Sequence, residues 1–397
     1  MKKRDILNGF AILVAIICLG TFTLNMINGR FDLGDFRVYY TAASNLVSGG
    51  PVYLVSFDGG SGFYKYSPAT LFFFIPYTWL PFRQASILHF FILSAAYWFT
   101  MVTIGKLVTK YLLDERPKHE ILLLSLSFFF IVIHVTRELY LGNINILLLM
   151  MCCLAARDIL LDKPMQGGIL LGIVVLAKPY LLILVIPLVL RRKWKTIGSF
   201  VATGLAGLGL PFVYPGFAKS TGMYGDWIKS IMAHSGDYPG MTSLDYFFCN
   251  LVPSWPARGI IAIFIVLTGL VVIFIVNNLK KEKDAENPAG ITARNLTFEW
   301  FMILALVPNL IKTDWVVMLL SAPLIAYVIF TIAAQKRYWL IPLLAILLFF
   351  YGANSDDLLG RALSHKILYA GLMGLGNFLL ILMAVYLFLS RTANREP

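Results

Sequence analysis

Residues 168–194 read GILLGIVVLAKPYLLILVIPLVLRRKW, two apolar runs that meet at Lys178-Pro179 and end in the basic cluster Arg191-Arg192-Lys193. Neither run carries the polar stripe of a helix on a water-soluble surface, so both must be covered by protein or by lipid. Proline cannot continue a helix cleanly and fits the tip of a hairpin buried at membrane depth. The stretch therefore reads as a short intramembrane hairpin with Lys178 at its tip, its far end anchored by cations of the kind that gather on the cytoplasmic side.

The rest of the chain has the same character. Of 397 residues, 59% are hydrophobic and only 14% charged, an excess that a soluble domain does not need and a bilayer does. After MKKRDILNGF comes an apolar run over 10–27, too long for a signal peptide and without a small-residue cleavage site, which reads as an uncleaved first helix. Further runs near 68–81, 87–108, 121–135, 144–161, 168–190, 197–214, 259–276, 298–311, 315–334, 339–351 and 367–389 predict about a dozen crossings. The expected fold is an all-α polytopic membrane protein, one integral membrane domain over 1–397. It carries a first outer loop at 28–67, a second at 215–258, and a mobile polar linker at 280–297. No internal repeat is visible.

The formal net charge of +12 is clustered between apolar runs, as topology requires, and does not point to nucleic acid. Lys2-Lys3-Arg4, Arg191 to Lys195, Lys280-Lys281-Lys283, Lys336-Arg337 and Arg391 all fall on one side if both termini are cytoplasmic. Placing the charged loop KYLLDERPKHE (110–120) on that side too makes 68–108 one crossing preceded by a broken piece. Arg83, Arg137, Asn143 and Lys178 then face outward. The four cysteines show no disulfide framework and no zinc-ligand spacing.

In the first outer loop, GDFRVYYTAASNLVSGGPVY (34–53) predicts a short amphipathic helix along the membrane surface. Phe36, Tyr39, Tyr40, Ala43 and Val47 share one face; Arg37, Thr41, Ser44, Asn45 and Ser48 share the other. Asp35 opens the helix and Asp32 precedes it. Either could cap the helix and favour its dipole, or stand at a cavity mouth as a general base. Lys65 and Tyr66 lie where the chain returns to the bilayer at Pro68, and Lys65 could simply snorkel to the interface.

Lys178 is the strongest cationic candidate, because a lysine inside the membrane is costly and functional by default. Arg137, in HVTRELYLGN, could reach an anion or pair with Glu138. Arg37 offers bidentate geometry that Lys65 cannot. The second outer loop holds Asp226, Trp227, His234, Asp237, Thr242, Ser243 and Asp245, and is expected to cover the cavity. His234 with Asp237 supplies fewer ligands than a dedicated zinc site.

The order of motifs carries a resemblance. Asp35 leads Tyr39-Tyr40-x-Ala-Ala-x-x-Leu-x-x-Gly-x-x-x-Tyr53, followed by Tyr66-Ser67-Pro68, LGNINILLLMM (141–151) and the 168–194 stretch. PGMTSLDYFF (239–248) and KTDWVVMLLSAP (312–323) come later. Together they resemble the polyprenyl-phosphate-mannose-dependent mannosyltransferases of glycosyltransferase family 87, multi-spanning enzymes of the GT-C class. The family's usual Gly-Gln appears here as Gly142-Asn143, its Asn-Gln-Ser as Met241-Thr242-Ser243, and its late outer turn carries Lys312 and Asp314 in place of a histidine.

The resemblance implies a GT-C-like helix bundle in the cell membrane with its active site facing outward. It implies a hexose, mannose foremost, moving from a polyprenyl-phosphate sugar to a hydroxyl of a lipid-linked or cell-envelope glycan. Asp35, with Asp32 as alternate, would be the catalytic carboxylate. Lys178, Arg137, Arg37 and Lys65 would serve the donor phosphate; Tyr39, Tyr66, Asn143, Thr242, Ser243 and Asp314 would serve the sugar or acceptor. No metal is required of a monophosphate leaving group, although Mg2+ is admissible. The competing class is a secondary transporter or lipid flippase, which a repeat and paired broken helices would favour.

Overall fold

The computed structural model describes residues 3–57, 62–113, 115, 117, 119–234, 240–252, 254–256, 258–285, 287–352 and 356–393. Among them the secondary structure is helical apart from one isolated β-bridge, Phe57 with Gly62. Helix α1 (Lys3–Ile27) is followed by α2 (Gly34–Ser48) and two 3-10 turns at Pro68–Phe73 and Ile75–Trp79. Then come α3 (Phe82–Leu107) with a π-helical end at Val108–Leu112, α4 (Glu120–Leu141), α5 (Asn145–Leu160) and α6 (Pro164–Ala177). A 3-10 stretch, Pro179–Val185, leads into α7 (Ile186–Leu190), and α8 (Trp194–Val213), α9 (Phe217–His234), α10 (Leu244–Leu251), α11 (Gly259–Lys283) and α12 (Pro288–Leu310) follow. The chain ends with a 3-10 stretch Trp315–Ser321, α13 (Ala322–Ala334), α14 (Ile341–Gly352), α15 (Asp356–Leu359), α16 (Arg361–Tyr369) and α17 (Leu372–Ala393).

Among the described residues, 7 helical segments are long and apolar enough to cross a membrane, fewer than the dozen crossings expected. The difference lies in segments that are short, broken or charged. Pro164–Ala177, Pro179–Leu190 and Tyr338–Gly352 are apolar but shorter, and α12 carries Arg294 and Glu299. The protein is thus an all-α polytopic membrane protein in which several segments traverse the bundle without full bilayer length.

The Lys178 hairpin forms as its sequence predicts, α6 rising to Lys178 and the Pro179–Leu190 segment returning. At 1.5 Å per residue the 14 residues of α6 span only about 21 Å, less than a hydrocarbon core of about 30 Å. Small residues make this hairpin fit. A Cβ on Gly168 or Gly172 would lie within 3 Å of Ser199 or Thr203 on α8, so these two helices approach backbone to backbone.

The core is centred on α12 and α13. Every residue from Asn295 to Leu310 is buried, as is every residue from Ala322 to Ile332, the all-round burial that an all-round apolar helix needs. Two poles follow from the contacts at the helix ends. At one, the α2 start, the α4–α5 turn, the Lys178 tip and residues 311–314 converge. At the other lie Leu112, Arg191, Glu282, Arg294, Arg337 and Arg391, joined by hydrogen bonds across α7, α11, α12 and α17. The clusters from Arg191 to Lys195, Lys280-Lys281-Lys283, Lys336-Arg337 and Arg391 collect at this second, basic pole, while Lys2 and the side chains of Lys3 and Arg4 lie outside the described residues. Arg83, Arg137, Asn143 and Lys178 share the first.

Two expectations need correction. The 280–297 segment is not a mobile linker but the end of α11 and the start of α12. Arg191 holds it by bonding Glu282 at 2.6 Å and Glu299 at 2.6 Å, while Asn295 and Thr292 donate to Glu282. The buried face of α2 comprises Phe36, Val38, Tyr39, Ala42, Ala43 and Leu46, with Val47 exposed. Tyr39 therefore packs inward, as Phe36 and Ala43 do, while Val47 of the same predicted face does not.

Candidate functional site

Asp35 lies in the first turn of α2 but does not cap it. The residue before the helix is Leu33, in a left-handed conformation, and no side chain satisfies the first amides. The Asp35 carboxylate turns instead to the α4–α5 turn, where Asn143 Nδ2 donates to Oδ2 at 2.6 Å. Gly142 makes this approach possible. Its φ is +66°, and a Cβ there would meet the Phe36 Cβ at 2.8 Å. His89 fixes the same turn, one ring nitrogen meeting the Gly142 carbonyl at 3.0 Å while the ring stacks on Phe36 at 4.2 Å.

The Asn143 amide is held in one orientation. Its Oδ1 accepts from Ile144 N at 2.7 Å and from the Tyr66 hydroxyl at 3.2 Å, which leaves Nδ2 for Asp35. Because Tyr66 donates to Asn143, the Tyr39 hydroxyl 3.1 Å away must donate to Tyr66. Tyr53 closes the set by donating to the Tyr66 carbonyl at 2.8 Å. The carboxylate thus ends a chain of three polar side chains drawn from two loops.

Two residues beyond Asn143, Asn145 performs a parallel task for the cation. Lys178 donates to Asn145 Oδ1, and Asn145 Nδ2 donates to Glu138 at 3.0 Å. Glu138 is fully buried and also accepts Ile146 N at 3.2 Å. The ammonium lies 5.8 Å and 5.9 Å from the centres of the Tyr66 and Tyr180 rings, within cation–π range. A half-buried lysine among apolar walls needs a counter-charge, and Glu138 provides it through one amide.

Asp35 and Lys178 line the same cavity, of about 360 Å³, with Tyr39, Lys65, Tyr66, Asn143, Asn145, Lys312 and Asp314. That volume falls in the range of small-molecule sites. Lys312 also reaches Asp245 of the second outer loop at 3.1 Å. An apolar groove of about 410 Å³ adjoins the cavity through shared walls at Pro179, Tyr180 and Ile311. Leu182, Ile183, Ile186, Phe264, Thr268, Val307 and Leu310 line the rest of the groove. Helix α9 covers the cavity from the other side. Trp227 donates to the Lys65 carbonyl at 3.0 Å, Ser230 to the Tyr64 carbonyl at 3.4 Å, and Ile231 reaches the lining.

Burial pushes the Asp35 carboxyl above its ordinary value, and the nearby Asp314 carboxylate adds to that; the Asn143 hydrogen bond and the Lys178 and Arg137 charges pull the other way. Burial likewise pushes the Tyr66 hydroxyl up to about 12, with Lys178 opposing. Asp35 is therefore a more basic carboxylate than a solvated one, and both tyrosines remain protonated donors.

Not every residue singled out in the sequence reaches this cavity. Asp32 and Arg37 pair with each other, and the Arg37 guanidinium lies 4.6 Å above the Phe82 ring in a separate crevice. Neither the alternate base nor the bidentate phosphate ligand expected there is at the site. Arg137 does not pair with Glu138; it lies 5.4 Å and 5.9 Å from the Trp315 and Tyr140 ring centres and acts on Asp35 through space. Thr242 and Ser243 are buried elsewhere. The Thr242 carbonyl accepts from Asn309 at 3.2 Å and the Ser243 hydroxyl caps α10, so both hold the second outer loop to the core. Asp237 and the His234 side chain lie outside the described residues, and among those described no group of three or more His, Cys, Asp or Glu is gathered as a metal site.

Glu138, Asn145 and Lys312 were not singled out as site residues. The signal for Asn145 was a second amide two residues after Asn143 at the head of an apolar run, where a polar side chain is costly without a partner. Residues 63–298 match the family model described as glycosyltransferase family 87. A comparison with curated proteins gives no match.

Proposed function

The chain belongs to glycosyltransferase family 87, and from that premise we propose that it moves a hexose, mannose foremost, from a polyprenyl-phosphate sugar to a hydroxyl of a lipid-linked or cell-envelope glycan. One observation carries the reading: a polar cavity holding Asp35 and Lys178 lies beside an apolar groove, with Pro179, Tyr180 and Ile311 lining both. A polyprenyl-phosphate sugar needs both environments at one junction. Its isoprenoid tail suits the groove, its phosphate the Lys178 tip, and its sugar the cavity under α9.

In the reaction the acceptor oxygen attacks the anomeric carbon, and the bond from that carbon to the phosphate oxygen breaks with its electron pair staying on the phosphate. Asp35 takes the acceptor proton, a role that burial favours by making the carboxylate more basic. Lys178, with Lys65 on the cavity wall, stabilises the charge that builds on the departing phosphate. These cations serve without a required metal, and Mg2+ bound to the phosphate would add to them. Tyr39, Tyr66, Asn143 and Asp314 line the same cavity, which supports giving them the contacts to sugar or acceptor.

The collection of basic clusters at the opposite pole supports an orientation with both termini in the cytoplasm and the cavity facing outward from the cell membrane. Cysteines placed at exposed Lys195 and Lys229 would then label from opposite sides, Lys229 from outside; the reverse pattern would invert this topology.

The decisive experiment offers purified protein in lipid a set of polyprenyl-phosphate sugars with glycolipid acceptors. Transfer is expected from the wild type and a loss of about 10²- to 10⁴-fold from Asp35→Asn, the range of a lost general base. Full transfer by a normally folded Asp35→Asn protein would remove Asp35 from the mechanism. Active movement of the intact donor across the bilayer, with no transfer, would favour the flippase reading.

A further inference from the structure

Arg37, which does not reach the Asp35 cavity, lines a crevice of about 300 Å³ that the proposed reaction does not use. Met26 and Gly29 at the end of α1 form one wall, and Phe82, Arg83 and Ser86 at the start of α3 form the other. Behind it α1 and α3 pack together, the Phe22 ring lying 5.4 Å and 5.3 Å from the Phe90 and Phe91 rings. Both helices contain segments long and apolar enough to cross a membrane. The crevice is therefore the mouth of the seam between two spanning segments.

Its charge is one-sided, with two guanidiniums and no carboxylate in the lining. Asp32, outside the lining, bonds a single Nη of Arg37, whose side chain remains 35% exposed. The Phe82 ring backs the same guanidinium at 4.6 Å and fixes its plane. Arg83 is exposed, and among the described residues its side chain makes neither an ion pair nor a hydrogen bond. The start of α3 adds to this field, since no side chain caps its first amides and its first turn holds no acidic residue. The Ser86 hydroxyl donates to the Phe82 carbonyl at 2.8 Å, so recognition of an anion falls to the two arginines.

The surroundings identify the source of that anion. Leu24 and Ile27 on α1, and Leu88 and Phe91 on α3, are exposed beside the seam, where lipid tails would cover them. Trp79, just before α3, is 79% exposed, and an exposed tryptophan at the end of a spanning segment marks headgroup depth. A basic pocket between membrane helices at that depth has the chemistry of lipid phosphate recognition, and the guanidinium fork matches phosphate oxygens. We propose that Arg37 and Arg83 bind the phosphate of an anionic phospholipid at the mouth of the α1–α3 seam, a site separate from the cavity of Asp35.

The test uses full-length protein in nanodiscs of mixed phosphatidylcholine and phosphatidylglycerol, and native mass spectrometry to read which lipids stay bound. Wild type should retain phosphatidylglycerol over phosphatidylcholine; no preference would overturn the site. Arg83→Gln, which breaks no polar contact among the described residues, should reduce the preference about fivefold, and Arg37→Gln with Arg83→Gln about 30-fold, the order expected of one and two cations near a charged surface. Asp32→Asn removes the carboxylate that competes for Arg37 and should raise the preference. Lys229→Gln and Asp226→Asn change charge by the same amounts at an exposed ion pair of the same pole and should leave it unchanged. Equal shifts in the two sets would reduce the effect to general surface charge and overturn the site. Inorganic phosphate that displaces phosphatidylglycerol would overturn the lipid assignment in favour of a soluble phosphate. If the double variant does not fold, Arg83→Gln and Asp32→Asn still give changes of opposite sign.

Discussion

Asn143 Nδ2 donates to Asp35 Oδ2 across 2.6 Å, tying the α4–α5 turn to the first turn of α2 over 108 residues of sequence. The bond stabilises the ionised carboxylate against the burial that disfavours it. Removing it leaves desolvation less opposed, so the Asp35 pKa rises further. A general base must be deprotonated to act, and its activity is lost as pH falls through its pKa. Asn143→Ala should therefore move the acid limb of the kcat/KM profile to higher pH. Activity should recover toward wild type on the alkaline side. A profile with an unmoved acid limb would separate Asn143 from the ionisation of Asp35.

Lys178 and Glu138 form the other half of the site, joined through Asn145. Lys178→Gln should raise the donor KM by about 10- to 100-fold, the loss of a hydrogen bond to a charged group. Glu138→Ala should do similar harm from behind the cavity, because it strands the Asn145 amide and the Ile146 N–H at a cost of about 1–3 kcal/mol. Glu138→Gln can still accept one of those bonds and should lose less melting temperature than Glu138→Ala while the donor KM rises. Unequal behaviour of the two Glu138 variants in thermal stability, with a shared KM defect, is the expected signature of a positioning residue.

The apolar groove beside the cavity makes a separate demand. Thr268 on α11 lines it and its hydroxyl makes no hydrogen bond, so Thr268→Phe fills space without breaking a contact. With each buried methylene worth about 0.8 kcal/mol, excluding a few of them should cost a long-chain donor about tenfold or more in kcat/KM. A donor with one or two isoprene units should be transferred as before. Equal losses with both donors would mean that the tail lies elsewhere.

The hairpin around Lys178 and the broken segment before α3 were legible in sequence because proline and apolar length constrain the backbone locally. Lys178 was legible as chemistry, since charge in an apolar run is costly wherever it points, and Asp35 was legible only as one of two acids at the start of α2. What sequence could not resolve was the partner of each charge. Asp32 and Arg37 look as good as Asp35 and Lys65 on spacing alone, yet they pair with each other away from the cavity. Glu138 reads as an ordinary neighbour of Arg137, and only the fold shows it turned toward Asn145. The 280–297 segment misled for the same reason. Its polarity is that of a mobile linker until Arg191, about 90 residues earlier in the chain, is brought against it.

Gly142 gives the sharpest test of how the site is assembled. Alanine there must adopt a left-handed conformation, at about 1–2 kcal/mol, and its Cβ would lie 2.8 Å from the Phe36 Cβ and 3.1 Å from the Leu33 Cβ. The clash pushes α2 off the α4–α5 turn along the line that joins Asp35 to Asn143. Gly142→Ala should thus lower both thermal stability and transfer, with the fall in kcat exceeding what the stability loss explains. Gly49 offers the matched control, because its φ is +85° and nothing lies within 4 Å of an added Cβ. Gly49→Ala pays the same backbone strain at the far end of α2 and should lose stability alone. If the two alanine variants lose transfer equally, the contact of Gly142 with α2 is not what aligns the carboxylate.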